Sequence, residues 1–148
     1  MSVGRTLLDS NNNYKLPRKD NFMRILYVSR TEDNHEKTAG IVAGRMAHSY
    51  DFKHTRKDAI QAMNLFEYAG VVLFGSQINP GGEPYHKDST DNTVDIIRHA
   101  KERGLSVLLL LENPDFRARA LEAGANIILE MPAHPRDIIA ALKRFERL

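Results

Sequence analysis

The chain has 148 residues, of which 42% are hydrophobic, and this length and composition suit one compact domain with a substantial core. It contains no cysteine, so disulfides and cysteine-based metal sites are excluded. A formal net charge of only +2 excludes a protein that binds polyanions through overall charge alone. No apolar run is long enough for a membrane span or a secretory signal, so we expect a cytoplasmic protein without a membrane partner.

The first 22 residues lack the pattern of a folded core. They contain a polar run at residues 10–13 and Pro17, which interrupts any helix in this segment. We therefore predict a flexible or loosely docked tail over residues 1–22 and one folded domain over residues 23–148.

From residue 23 onward, short apolar runs alternate with segments of helical periodicity. Strands are predicted at residues 24–29, 51–55, 70–75, 105–111 and 126–130. Helices are predicted at residues 32–48, 58–67, 93–103, 113–124 and 135–147. This alternation predicts an α/β fold, a three-layer α/β/α sandwich around a parallel sheet. Five such units favour a flavodoxin-like sheet with the strand order 2-1-3-4-5.

A sheet of this order carries its ligands or chemistry at the carboxyl ends of strands one and three. We therefore place the candidate site near residues 29–33 and 75–82. The second of these segments is rich in glycine, and the backbone amides around Gly81 and Gly82 could bind an anion. A tight turn is the simpler interpretation. A polar segment with His86 follows and lengthens the connection to the third helix.

Three stretches of the sequence resemble the receiver domain of response regulators. Residues 23–29 (MRILYVS) resemble its opening strand, and residues 71–80 (VVLFGSQINP) resemble its third strand and the following loop. Residues 120–132 (ALEAGANIILEMP) are the most specific, since they resemble the fourth helix, the Gly-Ala turn, the fifth strand and the proline after it. The resemblance covers residues 23–148 and implies a role in two-component signal transduction.

The resemblance also implies a phosphorylation site, which this sequence lacks. In receivers an acidic pair holds Mg²⁺, an Asp accepts the phosphoryl group, and a Thr or Ser and a Lys contact its oxygens. The corresponding residues here are, in chain order, Ser29 with Arg30, Gly75 or Ser76, Leu111, and Met131.

Loss of the nucleophile and of the metal ligands together removes the phosphoryl-transfer mechanism. Glu32 and Asp33 would reach the metal position only through a shifted loop. We therefore predict a degenerate pseudo-receiver that is not an enzyme and uses no cofactor or metal. Leu111 and Met131 are expected to lie side by side and fill a dry pocket that favours one fixed state.

Three functional hypotheses follow from this interpretation. The first is a protein–protein interaction module in bacterial signalling, with a homodimer through the last helix as one form of contact. Its interaction face would carry five arginines: Arg117, Arg119, Arg136, Arg144 and Arg147. The second is a domain or enzyme that binds a small anionic ligand at the strand ends, through Arg30, Ser76, Gly81, Gly82 and His86. The third is a DNA-binding regulator that uses the basic tail and the last helix, although the absence of a helix-turn-helix weighs against nucleic acid as a partner.

Overall fold

A computed structural model of the chain describes residues 23–30, 35–81 and 89–145. The predicted tail, residues 1–22, lies outside these ranges. So do five residues named above: Glu32, Asp33, Gly82, His86 and Arg147. Within the described ranges, no helix is long and apolar enough to cross a bilayer.

The described residues form one parallel sheet with helices on both faces. The strands are β1 (Arg24–Val28), β2 (Ser49–Lys53), β3 (Gly70–Phe74), β4 (Ser106–Leu111) and β5 (Ile127–Glu130). The helices are α1 (His35–Met46), α2 (Arg56–Leu65), α3 (Ser89–Glu102), α4 (Arg117–Ala123) and α5 (Pro135–Phe145), and a 3-10 turn at Pro114–Phe116 leads into α4. The order across the sheet is β2-β1-β3-β4-β5, and every pairing is parallel. The predicted α/β class and the 2-1-3-4-5 order are therefore confirmed.

The core consists of two layers, one on each face of the sheet. One cluster lies beneath α2, α3 and α4 and includes Leu26, Leu73 and Leu109. The other lies beneath α1 and α5 and includes Tyr27 and Leu108. Successive side chains of a strand point to opposite faces, so the central strands supply both clusters and read as continuous apolar runs.

Several predicted boundaries, most clearly those of β2, α2 and α3, differ from the structure by up to about one helical turn. β2 covers residues 49–53 rather than 51–55, because Thr55 instead caps α2 and accepts a hydrogen bond from the Asp58 backbone N at 3.1 Å. α2 begins correspondingly earlier, at Arg56. α3 begins at Ser89 rather than at Thr93, so the polar connection before it is shorter than predicted.

Two side chains that the helical periodicity places in the core are exposed. Phe66 follows the end of α2 with an extended φ of −131° and is 46% exposed. Ala47 follows α1 with a φ of 57° and is also exposed. Both helices end before their apolar pattern does. The prediction was wrong at these positions because the spacing of apolar side chains does not indicate where the backbone leaves the helical conformation.

Arg24 and Tyr68 fix the start of β1 at the amino edge of the sheet. Arg24 Nη2 lies 2.7 Å from Asp51 Oδ2, and the Tyr68 hydroxyl donates to the same oxygen at 2.6 Å. The Arg24 guanidinium also lies over the Phe66 ring, 4.4 Å from its centroid. Burial, and then the hydrogen bond to Asp51, raise the pKa of Tyr68 above its ordinary value.

Candidate functional site

All five strands end at the same edge of the sheet, which is where doubly wound folds carry their ligands. The residue that directly follows each strand can therefore be compared with the predicted site. These residues are Ser29 after β1, His54 after β2, Gly75 after β3, Glu112 after β4 and Met131 after β5. The edge thus combines one serine, one histidine, one glycine, one carboxylate and one thioether.

Ser29, at the predicted place of the acidic pair, is fully buried. Its Oγ lies 2.6 Å from His35 Nδ1 at the start of α1, and its carbonyl oxygen accepts a hydrogen bond from His54 Nδ1 at 3.1 Å. The His35 ring stacks on Phe74, with 4.5 Å between the ring centroids. Sequence reasoning missed both histidines, since they lie on different elements and show no metal-binding spacing.

This part of the edge does not fit a magnesium ion. Mg²⁺ requires hard oxygen ligands with negative charge, and Ser29 offers a hydroxyl that an imidazole already binds. The neighbouring Arg30 is half-buried, and its positive charge would repel a magnesium ion. Among the residues that the structure describes, no three His, Asp or Glu side chains are arranged to hold a metal ion.

Glu112 covers the two positions at which the phospho-acceptor of a receiver aligns. Gly75 has a φ of +90°, and a Cβ built on it would lie 2.9 Å from Glu112 Oε1. The same oxygen accepts a hydrogen bond from the Ser76 backbone N at 3.3 Å. A carboxylate therefore lies against the Gly75–Ser76 backbone, but β4 supplies it rather than β3. Sequence comparison missed Glu112 because it compared the neighbouring position, Leu111.

The side chain of Ser76 is enclosed by the protein. Ser76 is 1% exposed, and its Oγ has no hydrogen-bond partner within the described part of the chain. Its carbonyl oxygen accepts a hydrogen bond from Thr93 Oγ1 at 2.7 Å, and Asn92 Nδ2 donates to the Ile78 carbonyl oxygen at 3.0 Å. The first turns of α3 thus hold the loop after β3 in place and keep the Ser76 hydroxyl away from solutes.

The glycine-rich loop after β3 is hydrogen-bonded to the first turn of α2. The backbone N of Arg56 donates to the Asn79 carbonyl at 2.8 Å, and that of Lys57 donates to the Pro80 carbonyl at 3.0 Å. Gly81 has a φ of +80°, and a Cβ there would lie 2.5 Å from Thr55. The first-turn amides of α2 are therefore used by carbonyl groups of this loop.

Leu111 and Met131 do not share a pocket, so the predicted dry pocket is wrong. Their backbones are adjacent, and Met131 N donates to the Leu111 carbonyl at 2.8 Å. Leu111, however, packs in the cluster beneath α2, α3 and α4, whereas Met131 packs against the cluster beneath α1 and α5. The alternation of side chains across a sheet sends neighbouring positions of this kind to opposite faces.

Two of the predicted interface arginines converge on the edge strand β5. Arg117 Nη2 lies 3.5 Å from Glu130 Oε2. Arg144 lines a cleft of about 270 Å³ together with Glu130 and Asp137. Arg136, in the first turn of α5, is exposed. This face, which we call the β5 face, therefore carries mixed charges around a strand that pairs on one side only among the described residues.

Arg119 lies apart from the β5 face, which corrects its predicted assignment. Its guanidinium donates to Thr90 Oγ1 at 2.9 Å and forms an ion pair with Asp91. Both partners belong to the first turn of α3. Arg119 therefore joins α4 to α3 on the neighbouring surface, because residues two positions apart on a helix, such as Arg117 and Arg119, point about 200° apart around its axis.

Comparison with solved structures places this architecture among receiver domains. One match is a response regulator receiver domain from Methanospirillum hungatei, with a TM-score of 0.68, 15% identity, and coverage of 85% of this chain and 95% of that chain. Another is the receiver domain of a sensor histidine kinase from Pseudomonas aeruginosa, with a magnesium ion in its active-site cleft; the TM-score is 0.68, the identity 14%, and the coverage 86% and 99%. The activated receiver domain of DrrB, a Thermotoga maritima protein, matches with a TM-score of 0.64, 20% identity, and coverage of 86% and 99%.

Sequence comparison alone finds no such relation, since no family model and no curated protein matches the chain. The TM-scores of 0.64–0.68 establish a common fold. Identities of 14–20% do not extend the chemistry of those proteins to this chain, so the chemistry of the site follows from the residues described above. The chain has the fold of a response regulator receiver domain.

Proposed function

We propose that this chain is a degenerate receiver domain that works without phosphorylation, as a protein–protein interaction module in bacterial signal transduction. The closed exit of β3 is the observation that carries the proposal. Glu112 lies over Gly75, and the Ser76 hydroxyl is buried beneath the loop that Asn92 and Thr93 hold. A phosphodonor therefore finds neither a carboxylate in the receiver position nor access to the hydroxyl.

The chemistry of the neighbouring strand end supports the same proposal. Transfer of a phosphoryl group to a carboxylate needs a divalent cation that neutralises the incoming charge. Ser29, with its two histidine partners, offers no anionic oxygen for such a cation. The domain is accordingly not an enzyme in this proposal, and it uses no metal or cofactor.

The proposed contact with a partner involves the β5 face. β5 is an edge strand, and Arg117, Glu130 and Arg144 place both signs of charge around it. Exposed ion pairs of this kind contribute little affinity, but they select a partner with complementary charges. A second copy of the chain is one such partner, since a two-fold contact would pair each arginine with the other copy's acidic residues.

The anionic-ligand hypothesis has less support at this edge. The Ser76 amide that would bind an anion donates to Glu112, and the amides of Arg56 and Lys57 donate to loop carbonyls. For DNA binding, the basic tail and Arg147 lie outside the described residues.

Incubation with acetyl phosphate and Mg²⁺, followed by intact-mass measurement, tests the lack of phosphorylation. We expect an unchanged mass for the chain, while an active receiver domain treated in parallel gains one phosphoryl group. An adduct on the chain would overturn the proposal. The Glu112→Gln variant then shows whether Glu112 is the acceptor, because only in that case does the adduct disappear.

Charge reversal on the β5 face tests the proposed contact. The Arg117→Glu/Arg144→Glu variant should lose the partner that the native chain captures, or its self-association in sedimentation velocity. The Arg45→Glu variant is the matched control, since Arg45 is exposed on α1, which packs beside α5 in the same helix layer but contributes no residue to the β5 face. If both variants retain the partner, the contact lies elsewhere.

A further inference from the structure

A groove of about 500 Å³ opens at the amino edge of the sheet, opposite the candidate site. Met63, Phe66, Tyr68 and Leu105 contribute apolar side chains to its lining, of which Phe66 is the most exposed at 46%, whereas Met63 and Tyr68 are almost fully buried. Leu65, which precedes Phe66, is 67% exposed, so the apolar surface extends beyond the groove itself. The rim carries two carboxylates and one guanidinium, which belong to Glu67, Glu102 and Arg103.

The chain enters the fold at the border of this groove. Arg24, the first residue of β1, lies over the rings of Phe66 and Tyr68, at 4.4 Å and 5.4 Å from their centroids. The Arg24 carbonyl accepts a hydrogen bond from the Ala69 backbone N at 2.8 Å. β1 therefore begins at a fixed point beside the groove.

We propose that the groove binds the chain's own N-terminal segment at residues 14–19 (YKLPRK). This segment lies outside the described residues, and its sequence supplies what the groove lacks. Tyr14 and Leu16 are apolar anchors for the lining, and Lys15, Arg18 and Lys19 complement a rim whose carboxylates outnumber its guanidinium. Pro17 limits the conformational freedom of the segment and lowers the entropy cost of binding.

The connection between the segment and the fold makes a weak contact sufficient. Residues 20–22 join the segment to Met23, and an extended chain spans about 3.5 Å per residue, so the segment reaches the groove without strain. A short linker keeps the local concentration of the segment in the range of about millimolar. A free peptide or a second copy would need much higher intrinsic affinity to compete.

Spin labelling tests this contact in the full chain. Since the chain has no cysteine, Asn13→Cys provides a single attachment point for a nitroxide beside the proposed anchors. We expect selective broadening of the backbone amide NMR signals of residues 65–68 and 103–105, with those of Ser76 and Glu112 at the opposite edge unaffected. Groove signals that keep full intensity would overturn the proposal.

Matched variants separate the anchors from the rest of the segment and of the surface. The Tyr14→Ala/Leu16→Ala variant should abolish the broadening, whereas Asn11→Ala/Asn12→Ala should not. On the groove side, Phe66→Ser should abolish it, whereas Leu121→Ser should not, although Leu121 is a comparably exposed residue on α4. Loss of broadening in both members of a pair, or in neither, would contradict the assigned contact.

A mixed sample distinguishes binding within one chain from binding between two copies. Spin-labelled chain without ¹⁵N is combined with unlabelled ¹⁵N chain, so any broadening must then arise between copies. We expect none. Broadening in the mixture as strong as in the labelled ¹⁵N chain would show that a second copy supplies the segment, and it would overturn the intramolecular contact.

Discussion

Replacement of Gly75 by alanine measures the free-energy cost of a side chain at a residue with a left-handed backbone, directly after β3. Gly75 has a φ of +90°, and such a conformation costs a residue with a side chain about 1–3 kcal/mol. The new Cβ would also lie 2.9 Å from Glu112 Oε1. Glu112 is exposed and can rotate away, with loss of its hydrogen bond to Ser76 N, which is worth about 0.5–1.5 kcal/mol. We therefore expect Gly75→Ala to lower the free energy of unfolding by about 2–4 kcal/mol.

Urea unfolding of a double-mutant cycle separates the two contributions. In a Glu112→Ala background the contact with the carboxylate is gone, so Gly75→Ala should still cost about 1–3 kcal/mol from the backbone alone. Gly44→Ala is the matched control. A Cβ at Gly44, in α1, has no neighbour within 4 Å, and we expect this variant to gain about 0.5–1 kcal/mol.

Two outcomes would refute this account of Gly75. A cost below about 0.5 kcal/mol for Gly75→Ala would mean that the left-handed backbone is not required there. A cost that disappears in the Glu112→Ala background would mean that the carboxylate contact, and not the backbone, selects glycine.

The remaining predictions concern the core and the buried polar groups, and each is measured as a free energy of unfolding. Leu109→Ala, at a fully buried position of β4, should cost about 2–5 kcal/mol, and a value below about 1 kcal/mol would contradict the described packing. Tyr68→Phe should cost about 1–2 kcal/mol through loss of the hydrogen bond to Asp51, and no more than a few tenths if Asp51 is already replaced by alanine. Burial lowers the pKa of His48 below 6.5, so the unfolded chain binds its proton more readily than the folded one. The stability that neutral His48 contributes should therefore be present above pH 6.5 and lost as the pH falls below it. His48→Gln should flatten this pH dependence, and an unchanged slope would exclude His48 as its source.

The order of the sheet could be predicted because its central strands are buried on both faces. The segments around Leu73 and Leu109 read as uninterrupted apolar runs, and such runs separated by amphipathic helices admit few topologies. β2 was misplaced by two residues because it lies at an edge and its side chains are only partly buried. Its polar pattern gives no sharp limit, and the cap at Thr55 decides where the next helix begins.

The location of the candidate site could be predicted from the sequence. The residues that contact Ser29, Gly75 and Ser76 could not. Ser29, Gly75 and Ser76 lie at strand ends, where the fold class directs attention. Glu112 is 36 residues away from Ser76 in the chain, and only the register of β4 against β3 brings them together. Thr93 is similarly invisible in the sequence, because its role depends on α3 starting one turn earlier than predicted.

If the domain works without phosphorylation, as proposed, the position of Glu112 predicts the effect of a single substitution that adds an acceptor carboxylate. Glu112 Oε1 lies 3.3 Å from the Ser76 backbone N, so Ser76→Asp would add a second carboxylate on the residue that Glu112 already contacts. Neighbouring carboxylates disfavour each other's ionisation unless a cation lies between them, and Ser29 with its histidine partners offers no anionic ligand for a cation. Ser76→Asp alone should therefore stay unmodified by acetyl phosphate, and addition of Glu112→Ala should relieve the repulsion without restoring the metal site. Phosphorylation of Ser76→Asp at the rate of an active receiver would mean that the edge binds Mg²⁺ in a way that its described side chains do not suggest.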